Sequence, residues 1–167
     1  MYQDTFLPIT IELRIQSDRA MGCSEWQSRM GLVMDSYAKA VSNGDEQIIG
    51  HIKALLEFSA HCFIKFSCIS SRAGAVTECF GNIRADEGRM IINSLVEERG
   101  LEESLEALSA AWAEHQPHNP GLTMAVHQSS PGGHSGHGHH HEHHHEDGAP
   151  CPVCGGHHHH QDHHHCQ

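Results

Sequence analysis

Residues 47–70 read QIIGHIKALLEFSAHCFIKFSCIS, and the repeat of their apolar positions decides the fold class. Taken two at a time, Ile48, Gly50, Ile52, Ala54, Leu56 and Phe58 fall on one side of a strand, with His51, Lys53 and Glu57 facing solvent. After Ser59-Ala60-His61 the same alternation resumes at Cys62, Ile64, Phe66 and Cys68. A hairpin turning at those three residues puts both apolar sets on one face, which fixes its register. A helix from Asp45 to Ser59 also satisfies the spacing, through Ile48, Ile49, Ile52, Leu55 and Leu56. The hairpin is preferred because it accounts for both halves of the stretch at once.

Outward from this hairpin, Ile9, Ile11, Leu13 and Ile15 alternate as a half-buried strand. Ser24-Glu25-Trp26-Gln27 has capping-box spacing, and Trp26, Met30, Val33, Met34, Tyr37 and Val41 follow at helical intervals until Asn43-Gly44. Residues 75–80 could add a third strand to the hairpin, bracketed by Gly74 and Gly81. Two helices are expected at 87–99 and 101–115, broken at Gly100, with Asp86-Glu87 and Glu97-Glu98 as their solvated charges. The order implies an α+β domain over 1–115, a small antiparallel sheet with helices on one face. The sheet's other face is either polar or the surface of a homodimer.

Pro and Gly cluster at Pro117, Pro120-Gly121 and Pro131-Gly132-Gly133, so 116–133 reads as a linker. Residues 134–167 contain 15 of the chain's 20 His. Apart from Cys, only Ala149 and Val153 there offer aliphatic surface, too little to offset ordering entropy, so a disordered His-rich tail is expected.

Composition excludes several classes. All 10 Lys and Arg lie between Arg14 and Arg99, and a formal charge of −11 argues against a nucleic-acid partner. No apolar run approaches a membrane span, and Met1-Tyr2-Gln3-Asp4 does not open a secretory signal. Seven Cys without such a signal point to the cytoplasm, with thiols free or bound to metal rather than paired. There is no phosphate loop, dinucleotide fingerprint, nucleophile elbow or His-Glu-x-x-His helix, so neither catalytic residues nor an organic cofactor site are assigned.

The chemistry lies in the tail. Neutral imidazole suits Ni(II), Zn(II), Cu(II) and Co(II), and a run of imidazoles exchanges ligands readily. The candidate ligands are His134, His137, His139, His140, His141, His143, His144, His145, His157, His158, His159, His160, His163, His164 and His165, joined by Cys151, Cys154 and Cys166. Cys151-Pro152-Val153-Cys154-Gly155 can place two thiolates on one tetrahedral ion, the remaining ligands coming from Cys166, tail His or a second chain. Glu142, Glu146, Asp147 and Asp162 add charge that attracts cations. In the body, His51, His61, Cys62 and Cys68 are weaker candidates. His115 and His118 could share an ion if their helix continued past Pro117.

With these residues in view, the tail resembles those of His-rich nickel accessory proteins. They include the urease nickel metallochaperone, some hydrogenase-maturation GTPases and a His-tailed prolyl isomerase. The closest in organisation is the carbon monoxide dehydrogenase nickel accessory protein, a small body followed by a His-dense tail with a few Cys. The resemblance covers 134–167 only and implies nickel storage and delivery to a recipient metalloenzyme. Two other readings are zinc or cobalt storage, and an enzyme, for example one inserting metal into a tetrapyrrole, whose tail is a metal reservoir. The latter calls for a body cleft lined by His51, His61 or Glu residues.

Overall fold

In a computed structural model, which describes residues 5–131, the 47–70 stretch is a hairpin, not a helix. Its strands are β2 (Ile49–Ser59) and β3 (Cys62–Cys68), with Ile52 opposite Cys68, Ala54 opposite Phe66 and Leu56 opposite Ile64. All six of these side chains are buried. Ile48, expected inside, is 60% exposed because it precedes the strand.

The remaining elements are β1 (Phe6–Gly22), α1 (Cys23–Val41), β4 (Val76–Phe80), β5 (Arg84–Glu97), α2 (Leu101–His115), a 3-10 turn (Gln116–His118) and β6 (Leu122–Pro131). The strands form one antiparallel sheet in the order β4-β3-β2-β5-β1-β6. Ile9, Ile11, Leu13 and Ile15 of β1, Ile52, Ala54 and Leu56 of β2, and Met90, Ile92 and Val96 of β5 point to one face. Trp26, Met30, Val33, Met34, Tyr37 and Val41 of α1, and Ala107, Leu108 and Ala111 of α2, join them in a single core. This is the expected α+β architecture, with both helices on one side of the sheet.

Two segments differ from the sequence reading. The helix expected at 87–99 is β5, an inner strand between β2 and β1. On its outer side Ile91 and Leu95 are half-buried, so apolar residues occupy both faces and the two-residue alternation is blurred into an apparent helical spacing. The linker expected at 116–133 is likewise structured: Leu122–Pro131 pairs along β1, with Met124 opposite Ile15 and Val126 opposite Leu13. An edge strand needs only one partner, so its polar residues are tolerated, and Pro131 ends it without forfeiting an inner ladder bond.

Local chemistry sets the ends. α1 begins at Cys23 behind Gly22 with no side-chain cap, so the capping box at Ser24 does not form. At its other end the Gly44 N–H donates to the Lys39 carbonyl, and Gly44 has a left-handed φ of 68°, the helix stop expected at Asn43-Gly44. The Arg99 Nε–H donates to the Val41 carbonyl, adding a cation at that helix terminus. α2 is capped by Gly100, whose N–H donates to the Glu103 carboxylate. Gly81, between β4 and β5, has φ 79°, and a Cβ there would collide with the His61 carbonyl.

The chain divides into Met1–His134 and Ser135–Gln167. The 134–167 tail, and the expectation that it is disordered, lie outside the described residues.

Candidate metal centre

All eighteen tail ligands, His134 to Cys166, lie outside the described residues. The body candidates are separate from one another. His51 is on β2 opposite Leu95, on the helix-free face of the sheet, and His61 is exposed in the hairpin turn. Cys68 is 1% exposed against the Met34 carbonyl, and burial pushes its thiol up to about 11, so it remains a protonated core residue at neutral pH. Cys62 is half-buried, with its thiol directed at the Asn82 carbonyl. His115 ends α2, where Nε2 lies 2.8 Å from the Ser36 hydroxyl of α1. The 3-10 turn with Pro117 at its start then carries His118 to an exposed position, so the chain leaves the α-helical path between these two His. Among the described residues, no group of three His, Cys, Asp or Glu is arranged to hold a metal ion.

Two features escaped sequence reasoning. Cys23 and Cys79 form a disulfide with Cα atoms 6.6 Å apart, joining the first residue of α1 to the edge strand β4. The expectation that every thiol is free or metal-bound fails here. Cys79 lies opposite Ile64, and that register turns it toward the helix-covered face where α1 begins. The relevant signal was Cys79 falling in step with Thr77 on a predicted strand.

The second feature is a charged network across β2, β5 and β1. Arg89 donates to both oxygens of Glu12, at 2.7 and 2.9 Å, and to Glu57 at 3.2 Å. Arg14 and Gln16 donate to Glu87 at 2.7 and 2.9 Å. The Arg89 hydrogen bond, helped by the Arg89 charge, holds the Glu12 carboxyl below the ordinary carboxylate range, and Arg14 does the same for Glu87. Glu12, Arg14, Glu87, Arg89 and His127 line a shallow cleft of about 240 Å³. His127 was missed because its segment read as linker, yet a bulge in the β1–β6 register after Glu12 carries it there. The cleft contains Glu residues, as the enzyme reading required, but not His51 or His61. Its carboxylates are engaged by guanidinium groups.

The helix-free face also has a shallow cleft of about 460 Å³ lined by Lys53, Leu55, Lys65, Val76, Glu78 and Asn93. Beside it Phe63 and Phe80 stack with ring centres 4.7 Å apart, and the Lys65 ammonium lies 4.9 Å from the Phe80 ring centre. No described helix is long and apolar enough to cross a membrane. No protein-family model, curated protein or solved structure matches the chain.

Proposed function

We propose that this chain is a nickel-binding storage and delivery protein, a metallochaperone whose C-terminal tail collects Ni(II) for a metalloenzyme under assembly. The observation that carries this reading is the concentration of 15 of 20 His, with Cys151, Cys154 and Cys166, into residues 134–167, a stretch without Lys or Arg. Imidazoles at this density offer several exchangeable sites, and the Cys pair supplies a softer and tighter one. The folded body acts as carrier and docking platform rather than as an enzyme, and the protein works in the cytoplasm. In that compartment the Cys23–Cys79 bond is exposed to cellular dithiols.

Native mass spectrometry of the full chain with Ni(II), Zn(II) and Co(II), singly and in competition, tests the metal assignment. Several bound Ni(II) ions that survive equimolar Zn(II) and Co(II) are expected. Preferential loading of Zn(II) or Co(II) would instead favour storage of that ion, and uptake of none would end the proposal. Capture of an apo-enzyme from extract by the nickel-loaded chain separates delivery from storage.

A further inference from the structure

The helices cover one face of the sheet, and among the described residues the other is open with a defined pattern. From the strand registers, one row across that face reads Glu78, Lys65, Leu55, Ile91, Glu12 from β4 to β1. The next reads Phe80, Phe63, Glu57, Arg89, Arg14, and on the other side lies Val76, Ser67, Lys53, Asn93, Thr10. Leu55, Ile91, Leu95 and Phe63 are only half-buried here, while Val76 is 64% and Phe80 38% exposed.

We infer that this open face is the interface with a second copy of the chain, packed sheet to sheet about a two-fold axis parallel to β2 and β5. Such an axis between those strands exchanges β2 with β5 and β3 with β1 while preserving each row. Leu55 then meets Ile91 of the second copy, Glu57 meets Arg89, Lys65 meets Glu12, and the Phe63 ring meets the Arg14 guanidinium. His51 extends the contact toward Leu95 of the second copy. Glu12, Glu57, Arg89 and Arg14 are already paired within their own chain; across the axis each meets a further opposite charge or an aromatic ring, Lys53 meets the Asn93 amide, and the centre is apolar. A two-fold axis across the strands through the Leu55 row sets Glu57 against Lys53 but places Lys65 against Lys65, Glu12 against Glu12 and Glu78 against Glu78, three like-charge contacts for two Glu57–Lys53 pairs. Charge complementarity therefore selects the parallel axis.

The size is also appropriate. Six strands about 4.8 Å apart, with three rows about 7 Å apart, make a face of about 600 Å², near the roughly 800 Å² per partner of a standard interface. Two aligned sheets pack about 10 Å apart at about −30°, so the pairs nearest the axis hold their alignment best.

Sedimentation equilibrium of the full chain in chelator, which removes metal-bridged association, tests the proposal independently of the metal-delivery reading. A dimer at micromolar concentration is expected. Lys65→Glu and Glu12→Lys, each placing like charges face to face twice per dimer, should weaken self-association at least tenfold, Lys65→Glu with unchanged circular dichroism and Glu12→Lys with a folded spectrum but a lower urea midpoint, because it also gives up the pair with Arg89 of its own chain. An equimolar mixture of these two variants should regain wild-type affinity, because both contacts in the mixed dimer pair opposite charges. Leu55→Asp should yield monomer. A full chain that stays monomeric at tens of micromolar would overturn the inference. So would a dimer insensitive to these changes, or variants whose mixture shows no recovery.

Discussion

Residues 5–131 and the tail beyond them use titratable groups in opposite ways. In the body, Glu12, Glu25 and Glu87 are tied to Arg89, Arg19 and Arg14, and Asp45 to Ser71 and Arg72. Each of these carboxyls is held below its ordinary range by those donors. Residues 134–167 have four acids, 15 His and no Lys or Arg. Charges paired within the fold maintain a shape, whereas a segment whose own sequence carries no Lys or Arg is, in the proposed reading, left for an external cation. The difference assigns structure to one region and, in the proposed reading, cargo to the other.

The largest test of that division removes the tail. A chain ending at Gly133, beyond the last residue of β6, should keep its circular dichroism and thermal midpoint and lose nearly all bound Ni(II) in equilibrium dialysis. Undiminished nickel would place the ions in the body and erase the distinction. Acid should separate the regions next. Imidazole has an ordinary pKa of about 6.5, so metal should leave as pH falls from about 7 to 5. Glu12, Glu25, Asp45 and Glu87 have lowered folded pKa values, so the stability they contribute is complete above about pH 4.3 and is lost only as pH falls further. Nickel release followed by isothermal calorimetry should therefore precede any change in near-ultraviolet dichroism. Simultaneous loss would mean that the ions support the fold.

Mutations within the body should affect folding and spare the metal. Ile92→Ala, at a fully buried position on the inner strand β5, should cost about 2–5 kcal/mol in urea unfolding. Gly81→Ala forces a side chain onto φ 79° and against the His61 carbonyl, at about 1–3 kcal/mol. Nickel stoichiometry of both folded variants should match the parent.

What was readable in the sequence follows from how one-sided each element's surroundings are. The 49–59 and 62–68 strands, β1 and α1 each bury one face, so their periodicity is plain in Ile9 through Ile15 and in Trp26 through Val41. β5 is flanked on both edges, with Ile91 and Leu95 sheltered on the outer face as well, and that second apolar set concealed its alternation. β6 is held mainly by backbone pairing to β1, a stabilisation its Thr, His and Ser side chains do not advertise. The Cys23–Cys79 bond and the Arg89 network join residues 56 and 77 positions apart, a proximity that local pattern does not encode. The proposed metal ligands are read from composition, and their arrangement lies outside the described residues.

The smallest expected effect is on the stability of the body at high pH. Burial raises the Cys68 thiol to about 11 and also raises the Tyr37 hydroxyl above its ordinary value. A thiol whose folded pKa exceeds its unfolded value of about 8.5 contributes stability present below that pH and lost as pH rises toward 11. The slope cannot exceed about 1.4 kcal/mol per pH unit for one proton, and Cys68→Ala should flatten it while lowering stability at pH 7 through the vacated sulfur volume. Urea midpoints at pH 7, 9 and 10.5 for parent and variant measure this difference. Equal slopes would show that Cys68 ionises as freely in the folded body as in the unfolded chain, and that the hydrophobic contact beneath α1 is wetter than its burial implies.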